Sequence, residues 1–298
     1  MVLIQFVFGK RFNFCNFTQF VKPTGVFYHI SFSRRSYLTV GTRLKDFPEA
    51  FEELKSFENF KLIECPEVGE ELILKVHEPE LLEGVKADPL CSTAWHSAGG
   101  VVKATEMVYE GELRNAFCYI GAGGHHSGKR IFWGYCCFND VVLAITNIRE
   151  KCSDAKFAIV DTDAHHGDGT RELVKDDDKV LHYCICASDF ESPDGLKIDR
   201  SYIGLSRREY VDLVREFAER AEEFSPDLIF WYFGHDTHVG DYGDIGLTVN
   251  EYVEIAKIVK EAAKKICDEK LVVVLGGGSV PYIAKISTLS IIKELLKP

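Results

Sequence analysis

The stretch KFAIVDTDAHHGDG, residues 156–169, decides the architecture. Phe157 to Val160 are apolar without alternation, the pattern of a strand buried on both faces rather than one. Such a strand belongs in a mostly parallel sheet covered by helices on each side. The chain then turns polar at once: the nine residues 161–169 hold three aspartates and two histidines. In open parallel sheets ligands sit beyond the carboxyl ends of the strands, and this carboxyl end carries groups that bind protons and metals.

The pattern repeats outward. Further strands are expected at TGVFYHISF (24–32), NAFCYIG (115–121), LIFWYFG (228–234) and KLVVVLGGG (270–278). Helical periodicity marks 47–57, 97–109 and 139–152, the last with Asn139 or Asp140 as N-cap. Ser206 and Glu209 form a capping box ahead of the stripe Tyr210, Leu213, Val214, Phe217, Ala221 and Phe224. Thr248 and Glu251 form a second, ahead of Tyr252, Ile255, Val259, Ala262 and Ile266. Strands alternating with amphipathic helices predict an α/β fold. No Pro/Gly/Ser linker or repeat divides it, so residues 23–298 read as one domain and 1–22 as an N-terminal extension. The apolar start of that extension breaks at Gly9-Lys10-Arg11, too short to span a bilayer. It also lacks the basic start and small-residue cleavage site of a signal peptide.

The 298 residues are 46% hydrophobic with a net charge of −11, enough for a large core and without a basic footprint for nucleic acid. Ten cysteines include the adjacent Cys136 and Cys137 but no CxxC pair. They read as free, mostly buried thiols in a reducing cytoplasm. The run KDDDK (175–179) reads as a solvated turn. No pattern indicates an oligomeric interface.

Four strand ends deliver AGGHHSG, DTDAHHGDG, GHDTHVGD and GGGSVP to one edge, and seven of the ten histidines fall between His125 and His238. Asp163 and His165, two apart at the end of an extended segment, can grip one ion, and Asp236 from another strand completes an Asp/His/Asp set with an open position. Zinc suits that arrangement; iron or manganese also accept carboxylate-rich sites. His125 and His126 are placed for proton transfer, with Asp161 and Asp168 each able to hydrogen-bond one of them and fix its tautomer. His166 is expected to be structural, and His235 and His238, which flank Asp236, to support it or to be structural. The triple glycine 276–278 has no Lys-Ser/Thr after it, so close backbone packing is expected there rather than a phosphate loop.

The segments AGGHHSG…GYCCFNDVVLAI, VDTDAHHGDGT and GHDTHVGDYGDIGLT resemble the zinc-dependent histone deacetylase family, which includes acetoin-utilisation and acetylpolyamine amidohydrolase types, over roughly residues 24–290. The resemblance implies the three-layer arginase/deacetylase fold and a zinc held by Asp163, His165 and Asp236. It also implies His126 as general base partnered by Asp168, and His125 partnered by Asp161. Gly134 and Tyr135 fall where the family lines its acyl-lysine channel. Main-chain oxygens of 161–165 match a potassium site, and Arg43 matches an arginine lining the acetate exit. The implied partner is an acylated lysine peptide or a small acylated amine. One position departs from the family. Its last glycine-rich turn precedes a tyrosine that donates to the oxyanion, whereas here that position falls on Val280, or on Ser279, with Tyr282 only beyond Pro281. The segment ESPDGLKID also lacks the aromatic-Pro-Gly channel loop. Three activities fit: an amidohydrolase weakened on acetyl-lysine, a catalytically weak acyl-amine-binding protein, or a binuclear manganese ureohydrolase. For the third, GGHHSG offers a histidine where a second-metal aspartate is needed.

Overall fold

The computed structural model of the chain describes residues 22–34 and 42–298. All but the last position of the expected extension 1–22 lies outside them. Among the described residues nine strands form one sheet: β1 (Thr24–Tyr28), β2 (Phe60–Glu64), β3 (Asn115–Cys118), β4 (Phe157–Asp161), β5 (Val180–Cys186), β6 (Phe190–Glu191), β7 (Lys197–Ser201), β8 (Leu228–Phe233) and β9 (Leu271–Leu275). Their order is β2-β1-β3-β9-β8-β4-β5-β7-β6, parallel throughout except the antiparallel pair β6–β7. Every residue of β3, β4, β5, β8 and β9 is buried, as their unbroken apolar runs require. The helices Ala94–Tyr109 and Asp140–Arg149 pack together as one covering layer. Arg207–Phe224, Val249–Cys267 and Pro281–Leu296 form another. This is the α/β arginase/deacetylase-type fold, a mixed, mostly parallel sheet flanked by helices.

Local signals set the helix starts. Both capping boxes form: Ser206 Oγ accepts from the Glu209 amide while Glu209 reaches back to Ser206 N–H, and Thr248 and Glu251 repeat the motif. Asn139 Oδ1 accepts from Val142 N–H, which makes Asn139 the cap of the helix carrying the far end of the histidine loop.

Several elements differ from the sequence reading. The β3 run stops at Cys118 because Tyr119 and Ile120, although fully buried, lie past its last sheet partners. Residues 49–54 form a 3-10 helix, with amide bonds reaching three residues back, as from Phe51 to Pro48 O. Strands β2, β5, β6 and β7 were not expected. The KDDDK turn is not simply solvated: Asp177 pairs with Arg149, and its carbonyl accepts from Lys197 Nζ at 2.9 Å. Among the described residues no helix is long and apolar enough to cross a membrane.

Candidate metal centre

Two strand ends bring the donors together, and a third packs against them. Asp161 is the last residue of β4, and the loop after it carries Asp163 and His165 before the helix Asp168–Val174 begins. Asp236 sits in the one-turn helix His235–Thr237 that follows β8, and the turn after β9 holds Gly276–Gly278. Trp231, buried in β8, donates Nε1–H to Thr162 Oγ1 at 2.8 Å and ties the β4 loop to the central strand. Donor atoms of Asp163, His165 and Asp236 all lie within 4.8 Å of one another. His165 Nδ1 stands 3.1 Å from both Asp163 Oδ1 and Asp236 Oδ2.

The donor set suits a divalent metal. Asp236 Oδ2 is buried and has no well-aligned hydrogen-bond donor. A Cβ on Gly277 would stand 2.6 Å from Asp163 Oδ2, 2.7 Å from Asp236 Oδ2 and 2.8 Å from the Tyr242 hydroxyl, so only glycine lets these oxygens converge. Burial first, and then the Asp163 charge beside it, push the Asp236 carboxyl up to about 7. A cation shared by the two carboxylates relieves that repulsion. The imidazole is the most exposed of the three candidate ligands and faces a cavity of about 270 Å³. Two carboxylates, one imidazole and an open side fit zinc, and also iron or manganese.

Two histidines face the same cavity from the loop after β3. His125 Nδ1–H donates to Asp161 Oδ2 at 2.9 Å, and His126 Nδ1–H to Asp168 Oδ1 at 2.6 Å. Their rings lie 4.1 Å apart, and His125 Nε2 is 3.8 Å from Asp163 Oδ1.

The histone deacetylase domain model matches residues 38–192 and 197–295. The chain belongs to the histone deacetylase family. It is 31% identical over 206 residues to a probable deacetylase of Archaeoglobus fulgidus, covering 62% of this chain and 57% of that protein. It is also 31% identical over 229 residues to histone deacetylase 5 of Arabidopsis thaliana, covering 68% of this chain and 34% of that protein. The chain thus spans just over half of one relative's length and about a third of the other's. Equal identities to an archaeal and a plant protein do not separate subtypes. The crystal structure of the HDA15 HD domain superposes with a TM-score of 0.80 at 22% identity, covering 93% of this chain and 90% of that one, which shows the shared fold.

Within this deacetylase fold the two histidines differ electrically. Burial alone disfavours charge on His125, but Asp161 and Asp163 outweigh it and raise its pKa to about 9. Burial and the neighbouring His125 charge lower His126 against the opposing pull of Asp168. Gly134 and Tyr135 both adopt positive φ, +57° and +63°, and line the cavity. A Cβ on Gly134 would meet His126 Cδ2 at 2.6 Å, so that strained turn lies directly against the ring. Arg43 is buried and donates to Gly276 O (2.5 Å), Gly278 O and Ile120 O beneath the cavity. Burial holds the Cys136 thiol well above its usual range, which fits packing and not nucleophilic attack.

The sequence reading missed several groups. Trp133 lies over His126 with ring centroids 4.0 Å apart and donates Nε1–H to Asp168 Oδ2 at 2.9 Å. Tyr232 stacks on His125 at 4.7 Å while its hydroxyl accepts from Gly124 N–H. Tyr242 lines the cavity, its ring 5.7 Å from His165, and its oxygen accepts from Gly278 N–H at 3.0 Å. Ser279 and Val280 turn elsewhere: Ser279 Oγ, Ser279 N–H and Val280 N–H all donate to Asp241, which also binds His235 Nδ1. Tyr282 is exposed.

Proposed function

We propose that this chain is a metal-dependent amidohydrolase of the deacetylase family, with residues 23–298 as its catalytic unit. It would remove an acyl group from acyl-lysine or a small acylated amine. The observation that carries the reading is the meeting, in one cavity, of the Asp163–His165–Asp236 donor set with the pairs His125–Asp161 and His126–Asp168. A divalent ion held by the three ligands supplies Lewis acidity to water and to the acyl carbonyl. His126, kept neutral by burial and by the His125 charge, takes the proton of the attacking water through Nε2, and Asp168 fixes its tautomer. The amide C–N bond then breaks, the acyl carbon leaves as a carboxylic acid, and the proton held by the histidine pair passes to the departing amine nitrogen.

Tyr242 fills the role that the sequence leaves empty at Val280. Its oxygen accepts from Gly278 N–H, so its own O–H is left to donate beside the metal ligands. Burial and the Asp163 and Asp236 charges keep that phenol protonated. The amine portion of the substrate passes Gly134–Tyr135 and Trp133 at the cavity mouth.

The test is hydrolysis of acetyl-lysine and trifluoroacetyl-lysine peptides, and of an acetylated diamine, by the zinc-loaded chain, with Asp163→Ala as blank. Turnover of the activated trifluoroacetyl substrate above the blank is expected. Tyr242→Phe should cost on the order of 10²-fold on acetyl substrates and less on trifluoroacetyl ones. No turnover of any of the three above the blank overturns the reading.

A further inference from the structure

We propose that His166, Cys184, Cys186 and Asp199 form a second metal site, a closed four-donor site for zinc or another thiophilic ion, distinct from the Asp163–His165–Asp236 centre. The inference goes beyond the amidohydrolase reading and does not depend on it.

Sheet geometry places these four. Cys184 and Cys186 are two apart on β5 and therefore point to one face. The register of β5 with β7 sets Cys184 directly opposite Asp199, so their side chains share that face. The loop after β4, the strand on the other side of β5, brings His166 over them. Ligand atoms of all four lie within 4.8 Å of one another. A tetrahedral zinc, with Zn–S near 2.3 Å and Zn–N or Zn–O near 2.0–2.1 Å, needs donors roughly 3.3–3.8 Å apart, so only a small contraction is required.

The hydrogen bonding leaves the donors available. His166 Nδ1 is buried with no hydrogen-bond partner, and Nε2 stands 3.7 Å from Asp199 Oδ2. Cys186 Sγ shares a hydrogen bond with the Cys184 thiol and lies 3.7 and 3.4 Å from the carbonyl and hydroxyl of Ser188, contacts that a thiolate bound to a metal can give up. Both cysteines and Asp199 are buried, which suits a site closed to solvent. Charge balances as well. Two thiolates and a carboxylate around a divalent ion leave one negative charge, and Arg171 stands ready to offset it, with Nη2 2.7 Å from Asp199 Oδ1 and Nη1 3.3 Å from Oδ2. Soft sulfur ligands select zinc or copper(I) over magnesium, calcium or manganese. A closed set of two sulfurs, one nitrogen and one oxygen is the structural type, not the catalytic one. Filled, it would pin β5, β7 and the β4 loop together one residue from His165.

Cobalt(II) distinguishes the two sites, because only thiolate ligands give sulfur-to-cobalt charge-transfer absorption and the first centre contains no sulfur. The Asp163→Ala chain, stripped with chelator and reloaded with cobalt, should bind one ion per chain with that absorption. Adding Cys184→Ser and Cys186→Ser should abolish it, while Cys267→Ser should leave it intact. Absence of the sulfur band in the folded Asp163→Ala chain at saturating cobalt overturns the proposal. So does a band that survives the double cysteine substitution. The first of these readouts stands even if the double cysteine variant fails to fold, and neither relies on hydrolysis.

Discussion

His165 and His166 are neighbours in the chain, yet they serve opposite kinds of cluster. His165 joins two carboxylates and is nearly half exposed toward a cavity. His166 turns toward two buried thiols and a carboxylate that is already bound by Arg171. The first cluster holds hard donors, two close negative charges and an open side, a combination that costs stability and allows chemistry. The second is soft, closed and balanced by a cation, a combination suited to holding strands together. Damage at the first should therefore cost activity and spare the fold, and damage at the second should do the reverse.

Asp236→Asn gives the largest expected effect. On the proposed function it removes a metal ligand, so hydrolysis should fall on the order of 10³-fold or more. It also removes one of two adjacent buried charges, so the metal-free variant should melt higher than the metal-free parent, by about 2–4 °C per kcal/mol regained. Calorimetry with and without zinc, alongside activity, checks both halves. A lower melting point in the metal-free variant breaks the contrast.

Asp199→Asn is the counterpart in the closed cluster. The Arg171–Asp199 pair is almost fully buried, with side chains 14% and 5% exposed. Leaving the guanidinium without its carboxylate should cost about 3–5 kcal/mol of stability, while kcat on a trifluoroacetyl substrate changes by no more than a few-fold. Urea unfolding measures the first quantity. A variant as stable as the parent shows that this cluster does not hold the strands.

The histidine loop has a pH dependence of its own. His77 Nδ1–H donates to Gly128 O at 2.7 Å, and its Nε2 accepts from Asn139 N–H at 3.1 Å, so neutral His77 ties the segment 128–139 together behind the His125–His126 pair. Burial lowers its pKa to about 4 from the ordinary value near 6.5. With the folded value depressed, the unfolded chain takes up the proton first, and stability rises with pH across this window. The contribution is complete above about 6.5 and lost as pH falls toward 4, by at most about 3 kcal/mol. His77→Gln should flatten that part of the stability–pH curve; an unchanged slope assigns the acid sensitivity to other groups.

What could be read from the sequence follows from how local each signal is. β4, β8 and β9 were legible because their apolar runs are unbroken, and the helix starts because a capping box spans four residues. β5 was not, since His182 and two cysteines interrupt its aliphatic pattern although all seven residues are buried. With β5 and β7 carrying no readable strand signal, the register that sets Cys184 opposite Asp199 is not legible, and the sequence offers His166 no partner. Asp163, His165 and Asp236 follow strand ends, so topology by itself brings them to one edge, where their donor atoms converge. Trp133 and Tyr242 meet partners 35 and 36 residues away across loops, where periodicity carries no information.

Trp133→Phe is the finest probe of the open cluster, with the smallest expected effect. The aromatic ring over His126 is kept and only the bond from Nε1–H to Asp168 Oδ2 is lost. Asp168 is 46% exposed, so water replaces the donor and the rate should fall less than about tenfold. The pH profile carries the information. The indole bond helps stabilise the Asp168 anion, and without it the carboxylate is more basic and holds the His126 proton more firmly. The pKa of His126 should then rise, and the acid limb of kcat/KM should move to higher pH. Asp168→Asn should move that limb the other way, because the negative charge behind the ring is gone. Opposite shifts from these two substitutions place His126 as the base whose titration sets the limb. Shifts in the same direction, or none, assign the limb to another group, and His125, whose partner Asp161 lies fully inside the sheet, becomes the residue to test.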